Sequence, residues 1–379
     1  MTILFWISFA GIFYAYFGYP LLLLFLGKIK KVLFFKPQLM LEEAQAPSVT
    51  LIIPAYNEES IIGEKLENTL SLYYPGELHI LVVSDGSSDT TVSIVNKYLS
   101  DSRVELFELT ERKGKAQALN KALQQVKTEI IIFSDASIIL EQQALWHIVQ
   151  PFANSKIGCV SGEDHIEGGG GEGLYGKYEL FLRDKESQLD SIVGASGSFY
   201  AQRTALVTPF QEGLAPDFVS VMNTVERGYR AISHPDAIGS MVAVKSHKDE
   251  FNRKVRTFIR GMTAMFKMKH MLNPVSFPMF SFFLWSHKMM RWFVPFFLIS
   301  LMVSNFFILD NNFYRVILIA QLLFYGMALL GFLGVKIFMD SILGKIAIYF
   351  TSVNVAILLA WVRYLMGVRQ EIWSPSKRH

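Results

Sequence analysis

Between Val49 and Ser137 the chain repeats one arrangement four times: a short run rich in β-branched and apolar residues, then an abrupt burst of polar ones. The runs are Val49–Ala55, Leu78–Ser84, Val104–Leu109 and the Ile130–Phe133 part of Glu129-Ile-Ile-Ile-Phe-Ser-Asp-Ala-Ser137. Runs of this length and composition suit strands buried on both faces. The segments between them, Glu58–Leu72, a stretch capped by Asp89 and reaching about Leu99, and Lys115–Val126, have helical character. Strand and helix alternating at this spacing predict βαβ units, an α/β class fold and a mainly parallel sheet. In such sheets ligands bind at the carboxyl ends of the strands.

Those ends carry the chemistry. The first strand ends in Pro54, Ala55, Tyr56, Asn57 and Glu58, and the second in Ser84, Asp85, Gly86, Ser87, Ser88 and Asp89. After the third comes Arg112-Lys113-Gly114-Lys115, and the fourth ends in Asp135 and Ser137. A carboxylate can accept from a base or ribose, and lysine can meet a diphosphate as a point charge. Asp135 can hold a hard cation through oxygen, with Ser137 adding a hydroxyl or a water. The alternative for Asp135 is a helix N-cap, and Asp-Gly-Ser-Ser-Asp alone is an ordinary turn.

Half of the 379 residues, 51%, are hydrophobic, and they crowd the two ends. Ile3–Leu26 carries no charge, and its 24 residues make a helix of about 36 Å, enough to span a bilayer. Lys28, Lys30, Lys31 and Lys36 follow it, which argues for an uncleaved anchor with its amino end outside and the next segment in the cytoplasm. Residues 37–48 read as a linker. Near the carboxyl end, Val275–Trp285 reads as an interfacial helix with His287 at headgroup level, and spans are expected at Trp292–Leu309, Phe313–Val335 and Ile346–Met366. One span before and three after put both termini outside, whereas the basic tail Arg369–His379, with Trp373, prefers the inside. The divisions expected are 1–27, 28–48, 49–245, 246–288, 289–368 and 369–379.

A net charge of +3 gives no footprint for nucleic acid. The single cysteine, Cys159, excludes an intrachain disulfide, fits a reducing compartment and reads as a small core residue. Gly168–Gly171 reads as a flexible loop rather than a phosphate cradle.

The ordered series IIPAYNEE, VVSDGSSDTT, RKGKAQALNKAL, FSDAS, GASGSFYAQR and PDFVSVMNTVERG resembles the inverting family 2 glycosyltransferases of GT-A fold, over roughly Val49–Lys267. The likeness is to membrane-bound, cellulose- and hyaluronan-synthase-like members that make surface polysaccharides or glycolipids. It implies that Pro54, Ala55, Tyr56, Asn57, Glu58 and Asp85 hold the uridine of a nucleotide sugar. Gly114, Lys115 and Ser137 then lie by the nucleotide, and Asp135 binds Mg²⁺ or Mn²⁺. The family's usual Asp-x-Asp is Asp-x-Ser here.

By the same resemblance, a charged helix through Tyr178, Glu179, Leu182, Arg183, Glu186 and Ser187 leads to an acceptor corner at Ser196, Gly197 and Ser198. Asp217 is then the base that deprotonates the acceptor hydroxyl, with Pro216 where glutamate is usual. The alternative for Asp217 is the N-cap of a helix over Phe218–Gly228. Arg253 and Arg256 match the family's cationic pair for the leaving diphosphate, with Thr257 in place of its tryptophan. The later lysines of the basic helix Asp249–His270, Lys267 and Lys269, suit an anionic lipid surface.

The function expected is therefore transfer of a sugar from a nucleotide sugar to a glycan or lipid acceptor, by a multi-pass protein of the cell inner or plasma membrane with a cytoplasmic domain. The alternatives are single transfer to a lipid carrier and, in another class, a transporter or scaffold that senses nucleotide. A base at Asp217 separates the enzyme from the sensor.

Overall fold

The computed structural model describes residues 1–33, 41–167, 170–242 and 246–369. Lys36, most of the 37–48 linker's start, Gly168, Gly169 and the tail beyond Arg369, with Trp373, lie outside the described residues.

Among the described residues eight strands form one sheet: β1 (Val49–Ala55), β2 (Leu78–Asp85), β3 (Val104–Leu109), β4 (Ile130–Ser134), β5 (Ile139–Leu140), β6 (Ile157–Glu167), β7 (Phe199–Arg203) and β8 (Arg230–Val242), in the order β3-β2-β1-β4-β7-β6-β8-β5. The β1–β4 half is parallel as expected. Beyond β4 the sheet turns mixed, because β7 joins β4 and β6 antiparallel and β5 joins β8 antiparallel. Side chains of β1 alternate between the two faces: Val49, Leu51, Ile53 and Ala55 enter one core and Ile52 the other, as the two-residue period of a strand requires. Every residue of β1 is buried.

No helix follows Asp135; the chain turns directly into β5, so the N-cap alternative for this residue falls. The intervening helices are shorter than the pattern suggested, at Ile62–Ser71, Thr91–Asn96 and Lys115–Leu123. Asp89 does serve the second of them, accepting from the Thr91 N–H at 3.0 Å. Gly170 and Gly171, expected in a loop, open the helix Gly170–Leu189.

Among the described residues, four helices are long and apolar enough to cross a membrane: Thr2–Val32, Pro278–Phe306, Asn312–Phe332 and Ile342–Leu365. The separate interfacial helix expected at Val275–Trp285 is instead continuous with the following span, through a π-helical turn at Leu284–Met289. His287, expected at headgroup level, is consequently packed inside, at 1% exposure. The first helix lies against this one so closely that a Cβ on Gly11 would meet the Phe297 ring at 2.7 Å. One core joins the membrane-type helices to the sheet: Tyr19, Leu23, Phe280 and Phe283 share it with Ile52, Leu119 and Ile131.

Candidate active site

A cavity of about 500 Å³ opens where the carboxyl ends of β1 and β4 meet the helix Pro216–Glu226 and the helix His247–Lys267. Of the residues expected to work together, Pro54, Glu58, Lys115, Asp135, Ser137, Gly197, Ser198, Asp217, Arg253 and Arg256 line it.

Asp135 leaves the end of β4, and its backbone N–H donates to the Ser198 carbonyl at 2.9 Å. This bond follows from register: Ser134 pairs with Phe199 across the antiparallel β4–β7 ladder, so the next residue on each side meets its counterpart. The donor-side turn and the acceptor corner are thereby adjacent. The Lys115 ammonium donates to Asp135 Oδ1 at 2.5 Å. Asp135 stays partly exposed, at 26%. One carboxylate with a neighbouring serine is a hard-oxygen set that fits a cation shared with a ligand's diphosphate; it does not make a protein-only cage. Consistently, no cluster of three or more His, Cys, Asp or Glu able to hold a metal occurs among the described residues.

Asp217 lies in the first turn of the helix Pro216–Glu226, where Pro216 suits the first helical position and a carboxylate suits the amino end. The N-cap is Ala215, so Asp217 is not the cap. Burial pushes its carboxyl above the ordinary range, opposed by its own backbone N–H and by the charges of Arg260, Lys115 and Arg183. Its Cγ is 3.9 Å from where a Cβ on Gly197 would stand, so the glycine keeps the carboxylate open to the corner.

Ser196 is the member of the corner that does not face the cavity. It is fully buried; its hydroxyl donates to Asp164 at 2.5 Å and accepts from the N–H groups of Ser198 and Phe199. Its work is to hold the corner's shape. Ala55, Tyr56, Asn57, Asp85 and Gly114 also lie off the cavity wall, at the neighbouring β1–β2 edge. Asp85 is 3% exposed and accepts from the backbone N–H groups of Lys113 and Gly114 at 2.8 and 2.9 Å. It therefore latches the basic turn that presents Lys115. Asn57 adopts φ +53 and bridges two turns, accepting from the Ser88 N–H at 2.8 Å. The Arg112 guanidinium sits 3.9 Å over the Tyr56 ring. Burial, with the charges of Asp135 and Asp89, pushes the Glu58 carboxyl up to about 7.

Several residues at the site escaped the sequence reading. Lys65 is fully buried under β4, donating to Ser134 Oγ at 2.8 Å and to the Ile138 carbonyl at 2.7 Å, and so ties both ends of the Asp135 turn. Burial lowers its ammonium to about 7. A lysine within an amphipathic helix pattern carries no signal of this. Arg260, one of the cations of the basic helix, donates to the Leu214 carbonyl and faces Asp217. Arg256 makes no hydrogen bond or ion pair among the described residues and lines the cavity.

Residues 50–206 match the sequence model for glycosyl transferase family 2. Among curated proteins, a poly-beta-1,6-N-acetyl-D-glucosamine synthase of Staphylococcus epidermidis is 31% identical over 126 residues, 33% of this chain and 30% of that protein. Its counterpart in Staphylococcus aureus is 31% identical over 143 residues, 38% of this chain and 34% of that one. The chain thus aligns with about a third of the length of these relatives. Among solved structures, a mannosyltransferase from Pyrobaculum calidifontis in complex with GDP-Man and Mn²⁺ superposes with a TM-score of 0.72 at 25% identity, covering 96% of this chain and 99% of that one. With the mixed sheet, the sequence match over residues 50–206 and the structural likeness together, the chain carries a family 2 glycosyltransferase domain of GT-A fold, set between helices long and apolar enough to cross a membrane.

Proposed function

We propose that this chain moves a sugar, with inversion, from a nucleoside-diphosphate sugar to an acceptor hydroxyl presented beside its membrane-type helices. The carrying observation is that Asp135 and Asp217 line one cavity, linked through the Asp135–Ser198 bond and Gly197. A nucleotide sensor would need the first carboxylate and has no use for the second.

In this reading the base and ribose rest at the β1–β2 edge against Tyr56 and Asp85, and the diphosphate lies near Lys115. Asp135 and Ser137 hold a divalent cation, which supplies positive charge to the phosphate oxygens. Arg253 and Arg256 meet the negative charge that grows on the departing diphosphate. Asp217 takes the proton of the acceptor hydroxyl as its oxygen attacks the anomeric carbon, and the raised affinity of its carboxyl for protons suits that work. Lys28, Lys30 and Lys31 support a cytoplasmic position for the domain.

Single transfer is favoured over polymerisation by Thr257, which stands where the resembled polysaccharide synthases have tryptophan. Uridine remains the expected base, and the GDP-Man held by the mannosyltransferase neighbour makes guanosine donors the second set to assay.

The test compares two isosteric variants of the full chain. Asp135→Asn is expected to lose Mn²⁺-dependent nucleotide binding and transfer together. Asp217→Asn is expected to keep nucleotide binding and to slow transfer by about 10² or more, the scale of a lost general base. Transfer that survives in Asp217→Asn at the wild-type rate would refute the assignment.

A further inference from the structure

The loop at 207–215, which delivers the chain to Asp217, is pinned from three helices. Asn120, on the helix that Lys115 opens, donates to the Phe210 carbonyl at 2.8 Å and accepts from the Phe210 N–H at 2.7 Å. Lys267 donates to the Gln211 amide oxygen, and Asn223 to the Thr208 hydroxyl at 2.5 Å. Nearest to Asp217, Arg260 donates twice to the Leu214 carbonyl, through Nε at 3.1 Å and through Nη2 at 2.5 Å. Arg260 and Asp217 both line the cavity. Among the described residues neither makes an ion pair, so the guanidinium stands near the carboxylate without being bonded to it.

A cation near a carboxylate favours its ionised form. A guanidinium bonded directly to Asp217 would do more: its fork would occupy the oxygens that have to take a proton from an acceptor hydroxyl. Held back on Leu214, Arg260 supplies the charge and leaves those oxygens open. Of the three cations that oppose the effect of burial on Asp217, Arg260 acts most strongly, ahead of Lys115 and Arg183. Lys115 is bonded to Asp135, and Arg183 acts on Glu163 as well. From β6 and β7, Cys159 and Tyr200 face the same carboxyl; burial, and then the charge of Asp217, keeps both of them protonated. Arg260 itself faces Glu212 besides Asp217, and Arg256 on its own helix.

Resting on the base assigned to Asp217 above, we propose that Arg260 is its positioning residue: anchored on Leu214, it fixes the end of the loop that opens the Asp217 helix and keeps a positive charge beside the carboxylate without covering its oxygens. Asp217 works in its ionised form, so a chain without this charge loses transfer first on the acid side. Lysine is an incomplete substitute, because an ammonium has no rigid fork to fix it on one carbonyl.

The full chain in detergent micelles is titrated with acid under infrared difference spectroscopy, which reads the C=O stretch of the protonated carboxyl that is lost in Asp217→Asn. Arg260→Gln, whose amide still donates to Leu214, is expected to protonate Asp217 at a higher pH than the wild type, and Arg260→Lys at a pH between the two. A wild-type far-ultraviolet circular dichroism spectrum reports that each variant is folded, and the lysine variant decides alone where glutamine fails that check. In membranes, transfer from a panel of labelled uridine and guanosine nucleotide sugars is expected to fall about tenfold or more in Arg260→Gln on the acid side of the profile and to recover on the alkaline side. A role in folding alone would lower transfer equally at every pH. An unchanged midpoint in Arg260→Gln overturns the proposal; Arg260→Lys matching Arg260→Gln overturns the part played by charge, and Arg260→Lys matching the wild type overturns the anchor on Leu214. Transfer by Asp217→Asn at the wild-type rate would refute the base instead, leaving the infrared midpoints to decide on Arg260.

Discussion

At the scale of single residues, the two groups whose protonation the fold disturbs most informatively stand behind and beside Asp135. Lys65 has two acceptors, Ser134 Oγ and the Ile138 carbonyl, and no water reaches it. Lys65→Met keeps the volume but leaves both acceptors buried without a donor, a loss of about 1–3 kcal/mol. A fall of that size in the stability of the full chain by thermal or denaturant unfolding is expected, together with weaker Mn²⁺ binding, because the turn carrying Asp135 loses its anchor. Glu58 makes a prediction of opposite sign. Its carboxyl is raised to about 7 in the fold, so between the ordinary value near 4.5 and about 7 the folded state holds a proton that the unfolded chain releases. Stability therefore declines across that window as pH rises. Glu58→Gln should raise the melting temperature of the nucleotide-free chain at about pH 8 and leave it unchanged at about pH 4, where the carboxyl is protonated in both states. An equal effect at both pH values would show that the side chain acts through packing alone.

At the scale of elements, the site is assembled by turns clasping one another across strand ends. The turn after β2 lies against the basic turn after β3, and Gly86 is what lets them touch. It sits at φ +65, and a Cβ there would stand 2.6 Å from the Arg112 nitrogen and from the Glu111 carbonyl carbon. Asp85 then grips the Lys113 and Gly114 N–H groups from the same turn. Gly86→Ala pays both a backbone strain of about 1–3 kcal/mol and the separation of the two turns. Reduced thermal stability and weakened nucleotide binding are expected together, since Lys115 is carried on the displaced turn. A variant that melts like the wild type and binds nucleotide normally would mean that the two turns are not coupled. On the membrane side, Lys30 donates to the Leu189 carbonyl at 2.5 Å, a cation at the carboxyl end of a helix, where the dipole favours it.

At the scale of the whole molecule, three parts of the chain far apart in sequence meet at one buried ionic knot. Tyr19 of the first helix and His287 of the helix Pro278–Phe306 both reach Glu186, and His287 and Arg291 both reach Glu179, on the helix that leads to the acceptor corner. His287→Ala leaves Glu186 buried with the Tyr19 hydroxyl at 2.6 Å and a long bond from the Val193 N–H at 3.4 Å, and a loss of about 3–5 kcal/mol is the scale for breaking such a contact. Earlier thermal inactivation of transfer is expected, with nucleotide binding, measured at a temperature where the chain is folded, close to normal. Equal loss of both at low temperature would show instead that the knot organises the donor side.

The sequence by itself determined the parallel half of the sheet, because β1, β2 and β4 are apolar runs buried on both faces and periodicity reports burial directly. It also determined which polar residues stand at the strand ends, and the apolar lengths able to cross a membrane. What it left undecided were pairings between distant segments. Nothing local in Phe199–Arg203 says that this strand enters antiparallel beside β4, yet that register alone brings Ser198 to Asp135. Lys65 and Arg260 look like ordinary cations of amphipathic helices. Their roles come from what packs over them, and the cost of burying charge is set by neighbours that only the tertiary structure supplies. The same holds for His287. The stretch around it looked interfacial because it mixes aromatic and cationic residues, but the partners that draw it inward, Glu179 and Glu186, lie about a hundred residues earlier in the chain.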